Sequence, residues 1–465
     1  MAFTRKKTIT DMTTGGIAGH LLRFALPLLL GNVFQQLYNT VDSWVVGNYV
    51  SNAAYSAVGT INPIVNLFVS FFSGLATGCG VVVSQYFGAK REDKVSKAVH
   101  GGFVLILLLG VAVTVGGIAV SPILLGFMQV PEEAFIEADI YLRIYCAGLL
   151  FLVVYNLGAA ILRAVGDTNR PTYYLIATAV VNIVLDLLFV LKFRMGVAGV
   201  AWATVIAEAV SMVLVMLALI REKSAIRFRF GELFTTDRNI IRMIASIGVP
   251  SGVQMAITSF SNIFVHSYIN HFGMEMMSGY ASYLKCEKFL QLPLQSIQLS
   301  VTTFAGQNIG AGNLKRVREG TKTGFVISTV ISAVLSLGLW FATPRIALFF
   351  NPDPASAQKA ALIMRIIIPF FMIHIISCIL AGTLKGAGDS RNVMVIMLSS
   401  YVVFRQIYLY LMTKFVANTE IVVICGIGSA WVVAAILISI YYRKNSERIF
   451  LAAVPPETRK RIQDA

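Results

Sequence analysis

Four acidic side chains, Asp42, Asp186, Glu208 and Glu287, fall inside stretches otherwise too apolar to hold a charge. An ionisable group in such a stretch is costly, and by default it marks an ion or substrate site. The spacing around three of them is helical. Gly31, Gln35, Tyr38 and Asp42 are separated by 4, 3 and 4 residues and share one face, while Asn182 and Asp186 are i and i+4, as are Thr204 and Glu208. If these polar stripes face inward together, two carboxylates, an amide and a hydroxyl meet in one place. Such oxygens suit a hard cation such as Na⁺. The same two carboxylates, desolvated and close together, can instead share a proton. The plainer alternative is that the acids only tie helices together by hydrogen bonds, and it applies most strongly to Glu208.

Other residues carry weaker signals. Pro27 precedes Asp42 by about four helical turns and removes a backbone donor, which makes either a hinge or a static kink. Glu287, in YLKCEKFLQLP, is either the partner of a neighbouring lysine or an attractor for cations in a cavity. Arg405 has no obvious local partner and is read as pairing or capping across helices. Asn262 and His266 are i and i+4 but lack a third ligand, so no metal is expected beyond Na⁺ at the cation site. No GxxxxGK[ST] run and no Ser/His/Asp arrangement occurs. No cofactor, no ATP-driven step by this chain alone and no enzymatic activity are therefore expected.

The elements that position these groups follow from composition. Of 465 residues, 57% are apolar and 13% charged, with mean hydropathy +0.74. Soluble chains carry about 25% charged residues. The expected class is an all-α membrane protein. Twelve spans are predicted at about 22–47, 55–86, 98–121, 140–163, 172–193, 197–220, 243–270, 278–308, 322–343, 360–384, 394–416 and 420–442. The alternation of a barrel strand is missing. The five cysteines are scattered and form no CxxC pair, so neither a disulfide framework nor a zinc site is indicated.

The net charge of +15 resides in short loops and tails rather than in a nucleic-acid patch. The tails and alternate loops hold 28 of the 38 Lys and Arg, the opposite loops 7 and the spans 3. That bias places both termini in the cytoplasm and the chain in the cytoplasmic (inner) membrane.

A shift of 222 superimposes the halves. SQYFGAK at 84–90 falls on GQNIGAG at 306–312, Pro122 on Pro344, Arg143 on Arg365, and LRAVGD at 162–167 on LKGAGD at 384–389. Each half has an even number of spans, so the two are parallel repeats with a cavity expected between the bundles. The predicted organisation is an N-terminal six-helix lobe at 1–220, a cytoplasmic linker at 221–242, a C-terminal lobe at 243–445 and a cytoplasmic tail at 446–465. The acids are not repeated: the same shift takes Asn182 and Asp186 to Phe404 and Tyr408. A single ion site, in the first half, is expected.

PLLLGNVFQQLYNTVDSWVVG at 27–47 resembles the first helix of the multidrug and toxic compound extrusion (MATE) transporters. VSQYFGAK and FAGQNIGAG resemble the paired ends of that family's helices 2 and 8, and LRAVGDTNRP and LKGAGDSRN its paired loops after helices 4 and 10. The likeness spans about residues 15–445. It implies a V-shaped pair of pseudo-symmetric six-helix bundles that export bulky, often cationic organic compounds against Na⁺ or H⁺. By resemblance, Asp42, Asn182, Asp186 and Thr204 bind the cation and Pro27 is the point where the first helix bends. Gln35 and Asn156 line the drug cavity, to which Tyr38, Asn39 and Glu287 are also assigned. SGVQMAITSFSNIF and PFFMIHIISCIL lack the acids that some members carry there, which favours the first-half site.

The expected function is a cation-coupled drug antiporter working by alternating access, with the bilayer as its other partner and the monomer as the working unit. The main alternative is a flippase for a lipid-linked precursor, which predicts a larger basic cavity than three basic residues within spans provide. A membrane-embedded enzyme lacks a catalytic constellation, and a passive channel is disfavoured by the asymmetry of the acids.

Overall fold

The computed structural model describes residues 9–463 apart from 51, 128, 129, 131 and 351. Arg5, Lys6 and Lys7, counted in the basic N-terminal tail, lie outside the described residues. Among the described residues there is no strand. The helices are α1 (Ile17–Tyr49), α2 (Asn52–Gly88), α3 (Glu92–Phe127), α4 (Glu132–Ala164), α5 (Asn169–Leu187), α6 (Gly196–Ile220), α7 (Arg238–Asn270), α8 (Met274–Gly310), α9 (Leu314–Phe350), α10 (Pro354–Gly386), α11 (Ser390–Leu398), α12 (Arg405–Phe415), α13 (Glu420–Ala453) and α14 (Pro456–Gln463). A π-turn, Leu188–Lys192, extends α5, and another, Ser399–Phe404, joins α11 to α12 into one span.

Eleven of these segments are long and apolar enough to cross a bilayer. α8 is the twelfth long helix, made more polar by Glu275, Lys285, Glu287 and Lys288. Several helices run further than the hydropathy suggested: α3 begins at Glu92 rather than near 98, and α13 continues to Ala453 rather than ending near 442. Their extra turns are polar, and hydropathy marks only the apolar part of a helix. Val326, Val330, Val334, Leu337 and Phe341 form an exposed apolar stripe along α9. Hydrocarbon is the solvent that suits such a face.

Cα packing divides the described chain into two units. Unit one contains the stretch ending at Asp11 and Pro27–Gly252, and unit two contains Met12–Leu26 and Val253–Ala465. α1 and α7 thus each give their opening turns to one unit and the remainder to the other, and the changes fall at Pro27 and after Gly252, two residues beyond Pro250.

Within unit one, α2 and α7 cross through glycine. A Cβ on Gly74 would overlap the backbone of Gly252, and one on Gly78 would overlap Gly248 while lying 2.9 Å from the Ile244 carbonyl oxygen. Small residues four apart permit such backbone contact between membrane helices. The 221–242 segment is ordered against α3. Glu232 accepts from Ser96 Oγ at 2.7 Å and pairs with Arg229 at 2.6 Å, while the Arg229 amide donates to His100 Nε2 at 3.0 Å. The Ser96 hydroxyl and the Arg229 guanidinium hold the Glu232 carboxyl below the usual carboxylate range. Its stabilising contribution is therefore present above the unfolded value and is lost as pH falls through the lower folded value.

Within unit two, the GQNIGAG run clamps the chain entering α1. Gln307 Oε1 accepts from the Met12 amide at 2.9 Å, Asn308 Nδ2 donates to the Met12 carbonyl at 3.3 Å, and Arg316 donates to the carbonyls of Met12, Thr14 and Gly15. Ser300 Oγ then donates to the Leu21 carbonyl at 3.1 Å.

The repeat is visible in the backbone. Gly166 and Gly388, one shift of 222 apart, have φ of 83° and 85°, and Lys90 and Gly312 have φ of 56° and 78°. A left-handed residue with a side chain costs roughly 1–2 kcal/mol. Lys90→Gly is expected to raise stability by about 1 kcal/mol once the entropy of the extra glycine is subtracted. A thermal-unfolding midpoint that falls instead would contradict this.

Candidate cation and substrate site

α1, α4, α5 and α6 build the cluster in unit one. The middle of α1 carries Gln35, Tyr38 and Asp42 on one face, and Gly31 lets that helix approach α5, where a Cβ would sit 3.0 Å from Leu175 Cδ1. The Thr172 hydroxyl on α5 lies 2.8 Å from the Pro27 carbonyl and 2.9 Å from that of Thr168. Pro27 is therefore tied to α5, the helix that carries Asn182 and Asp186.

Asp42 and Asp186 face each other. Asp186 is fully buried and Asn182 is 1% exposed. Apart from the facing carboxyl group, neither carboxylate oxygen of Asp186, neither polar atom of the Asn182 amide, and not Asp42 Oδ1 has a hydrogen-bond partner among the described residues. Buried polar atoms are normally paired, because leaving one unmade costs about 1–3 kcal/mol. The four oxygens among them, on neighbouring helices, form a polar cluster short of a donor or a cation. Its wall is phenolic: Tyr141 is within electrostatic range of Asp42 and Asp186, and Tyr38 is within range of Asp42 and Glu208. Tyr141 and Tyr145 stack along α4 at 6.3 Å.

Not every expected residue joins the cluster. The Thr204 hydroxyl donates to the Val200 carbonyl at 3.1 Å, and no contact to either carboxylate is found for it among the described residues. Gln35 lies against the Tyr38 hydroxyl, Asn39 is exposed, and Asn156 is half-buried on α4. Glu208 lies in the middle of α6, where its carboxylate accepts weakly from Ser211 Oγ at 3.3 Å, and it faces Tyr38. In unit two, Glu287 accepts from Gln291 Nε2 at 3.1 Å and lies beside Tyr280 and Tyr283. Lys285 sits over the Phe350 ring at 4.6 Å instead of pairing with it. Among the described residues, no group of three His, Cys, Asp or Glu side chains could hold a metal ion.

The sequence reading missed two groups. Tyr141 and Tyr145 are i and i+4 in YLRIY, a spacing that could have been matched to the stripe on α1. His374, Tyr401 and Trp431 in unit two form a buried aromatic group, with the His374 and Trp431 rings stacked at 4.6 Å and Tyr401 Oη 3.2 Å from His374 Nδ1. No spacing rule links residues on three helices.

Apolar helices long enough to span a bilayer, a duplicated architecture and a buried acidic cluster define a polytopic helical membrane transporter. The chain belongs to the MatE family, whose model matches residues 27–188 and 250–411, one copy per half. It is 28% identical to the probable multidrug resistance protein YpnP of Bacillus subtilis (strain 168), over 93% of this chain and 96% of that one. It is 23% identical to the probable multidrug resistance protein NorM of Thermotoga maritima, over 96% of each. The fold matches the solved outward-facing structure of a multidrug resistance MATE family transporter with a TM-score of 0.89. That match covers 96% of this chain and 99% of the other at 21% identity.

The two matched segments are equal in length, and the second begins 223 residues after the first.

Proposed function

We propose that the protein is a cation-coupled exporter of bulky, often cationic organic compounds, in which Asp42 and Asp186 with Asn182 take up Na⁺ or H⁺ and Thr204 completes the set in another state of the cycle. The observation that carries this reading is the set of buried oxygens, without a partner beyond the facing carboxyl group, where Asp42 faces Asp186. Two carboxylates about 4 Å apart at an effective dielectric near 20 repel by about 4 kcal/mol. A cation or proton between them removes that repulsion, and its departure restores it, so occupancy biases α1 against α5. Pro27, tied to Thr172, is the point at which α1 yields. The names of YpnP and NorM as multidrug resistance proteins support drugs as the substrate class. Gln35, Tyr38, Asn39 and Asn156, with Glu287, would meet the drug. The bilayer is the cytoplasmic (inner) membrane, both termini are cytoplasmic, and one chain suffices.

The deciding experiment loads a fluorescent organic cation into vesicles under Na⁺ and H⁺ gradients imposed separately. One gradient should drive accumulation, and Asp186→Asn should reduce it to the level of vesicles without protein. Accumulation that ignores both gradients, or survives in Asp186→Asn, would sink the coupling reading.

Orientation has its own test. Lys223 and Arg194 are both exposed. A cysteine at 223 should react with an impermeant thiol reagent only from the cytoplasmic side and one at 194 only from outside; the opposite pattern would reverse the topology.

A further inference from the structure

The turn after α10 repeats the turn after α4, but the Asp in each is served differently. In unit one Asp167 is fully buried and accepts from the amide and from the Nε of Arg170, whose Nη1 goes on to Glu222 at 2.9 Å. In unit two Asp389 follows the left-handed Gly388 and accepts from Asn392 Nδ2 at 2.7 Å and from Tyr441 Oη on α13 at 2.6 Å. Both turns join an Asp to the side chain three residues on, and what is a guanidinium in one is a neutral amide in the other. No cation pairs with Asp389 among the described residues.

Asp389 lines a cleft of about 470 Å³ together with Asn392, Tyr441, Asn445, Arg448 and the apolar Ile449. Small-molecule sites run from about 300 to 1,000 Å³. Arg448 is exposed and within electrostatic range of the Tyr441 hydroxyl, while the neighbouring Glu447 is taken by Arg318 at 2.6 Å. Asn445 Nδ2 gives one N–H to the Tyr441 carbonyl at 3.1 Å and keeps the other. The cleft therefore offers one negative and one positive group, neither of them neutralised by the protein. Its depth follows from α13. The apolar stretch of that helix closes near 442, so Tyr441 stands at the hydrocarbon edge, where tyrosine is favoured. Arg448 is two turns further, about 10 Å along the helix. The headgroup layer is about 5–8 Å thick on each face, within reach of the Arg448 side chain.

We propose that this cleft holds the headgroup of a phospholipid bearing a primary amine, with the ammonium against Asp389 and Asn392 and the phosphate against Arg448 and Asn445. An ammonium brings three donors to a carboxylate whose two oxygens each keep a lone pair. Arginine and phosphate form strong, charge-assisted pairs. A cationic amphiphile brings nothing for Arg448, and an acidic lipid meets the charge of Asp389. A choline headgroup has both charges but no N–H to donate. Unit one has no counterpart of this site, because Arg170 already fills the place of the ammonium. The bound lipid fastens the turn between α10 and α11 to α13. The inference stands apart from the reading of Asp42 and Asp186.

The test counts lipids. Delipidated protein is incubated with mixed micelles holding equal amounts of phosphatidylethanolamine, phosphatidylcholine and phosphatidylglycerol with the same acyl chains, and the lipids retained per chain are counted by native mass spectrometry. The unsubstituted chain should retain phosphatidylethanolamine about tenfold over each of the others, the worth of one charge-assisted hydrogen bond. Asp389→Asn should bring phosphatidylglycerol level with phosphatidylethanolamine or above it. Arg448→Gln should lower retention of phosphatidylethanolamine by about the same factor of ten. Asn392→Arg, at an exposed position, rebuilds in unit two the Arg170–Asp167 pair of unit one. It should abolish the preference in a monodisperse protein, and it decides the matter if Asp389→Asn does not fold. Equal retention of the three lipids by the unsubstituted chain, a preference for phosphatidylglycerol, or a preference for phosphatidylethanolamine that survives in Asn392→Arg overturns the inference. Displacement of the lipid by an equal concentration of free ethanolamine phosphate also overturns it, because the cleft would then serve a soluble zwitterion.

Discussion

Asp42→Asn should abolish uphill export while leaving the protein folded. Asp42 and Asp186 face each other within unit one, and an amide fills the space of the carboxylate and still hydrogen-bonds. With one charge removed, the pocket no longer requires a cation to offset repulsion between two carboxylates. For a neutral substrate exchanged against one monovalent cation, 100 mV is worth about 2.3 kcal/mol, or roughly a 50-fold concentration ratio. In Asp42→Asn that ratio should fall to about one, whereas downhill flux of the drug should persist. Transport in vesicles, with size-exclusion profile and expression level measured on the same preparation, checks both halves. A well-folded Asp42→Asn protein that still concentrates drug would reduce Asp42 to a structural role.

Gly78→Val should all but prevent accumulation of folded protein. The Cβ alone would overlap the Gly248 backbone, and the added methyls would meet the Ile244 carbonyl. Backbone cannot rotate aside as a side-chain tip can, so α2 and α7 must separate along their crossing. Overpacking costs typically 1–3 kcal/mol, and a clash of backbone on backbone belongs at or above the upper end, about 3 kcal/mol. That is a large share of the 5–15 kcal/mol by which proteins are stable. Gly116→Val on α3 is the control, since nothing lies within 4 Å of a Cβ there. The measured quantities are the monodisperse fraction and the thermal midpoint. Equal behaviour of the two variants would show that the crossing relaxes at little cost.

Much of this was legible in the sequence because membrane spans announce themselves by length and apolarity, and because the repeat places Gly, Pro and charged landmarks at one shift. The stripe of Gln35, Tyr38 and Asp42 and the Asn182–Asp186 pair were readable because residues on one helix face obey a fixed spacing. What escaped had physical causes. The π-turn Ser399–Phe404 leaves no compositional mark, so the break it makes between α11 and α12 was not foreseen. Tyr141 and Tyr145 meet the acids from a different helix, and tertiary neighbours leave no periodic signal. Thr204 has the right spacing from Glu208, yet its hydroxyl is spent on the carbonyl of its own helix, a competition common for threonine in helices.

The placing of Met12–Leu26 within unit two carries a cost in time. The partners of Met12 are Gln307, Asn308 and Arg316, about 300 residues further along the chain. At synthesis rates of about 5–20 residues per second, a newly inserted α1 waits roughly 15–60 s before the segment that completes it leaves the ribosome. During that interval its opening turns lack the Gln307, Asn308 and Arg316 contacts. The first half expressed alone would keep them in that state indefinitely, and supplying the second half as a separate chain should rescue it from degradation.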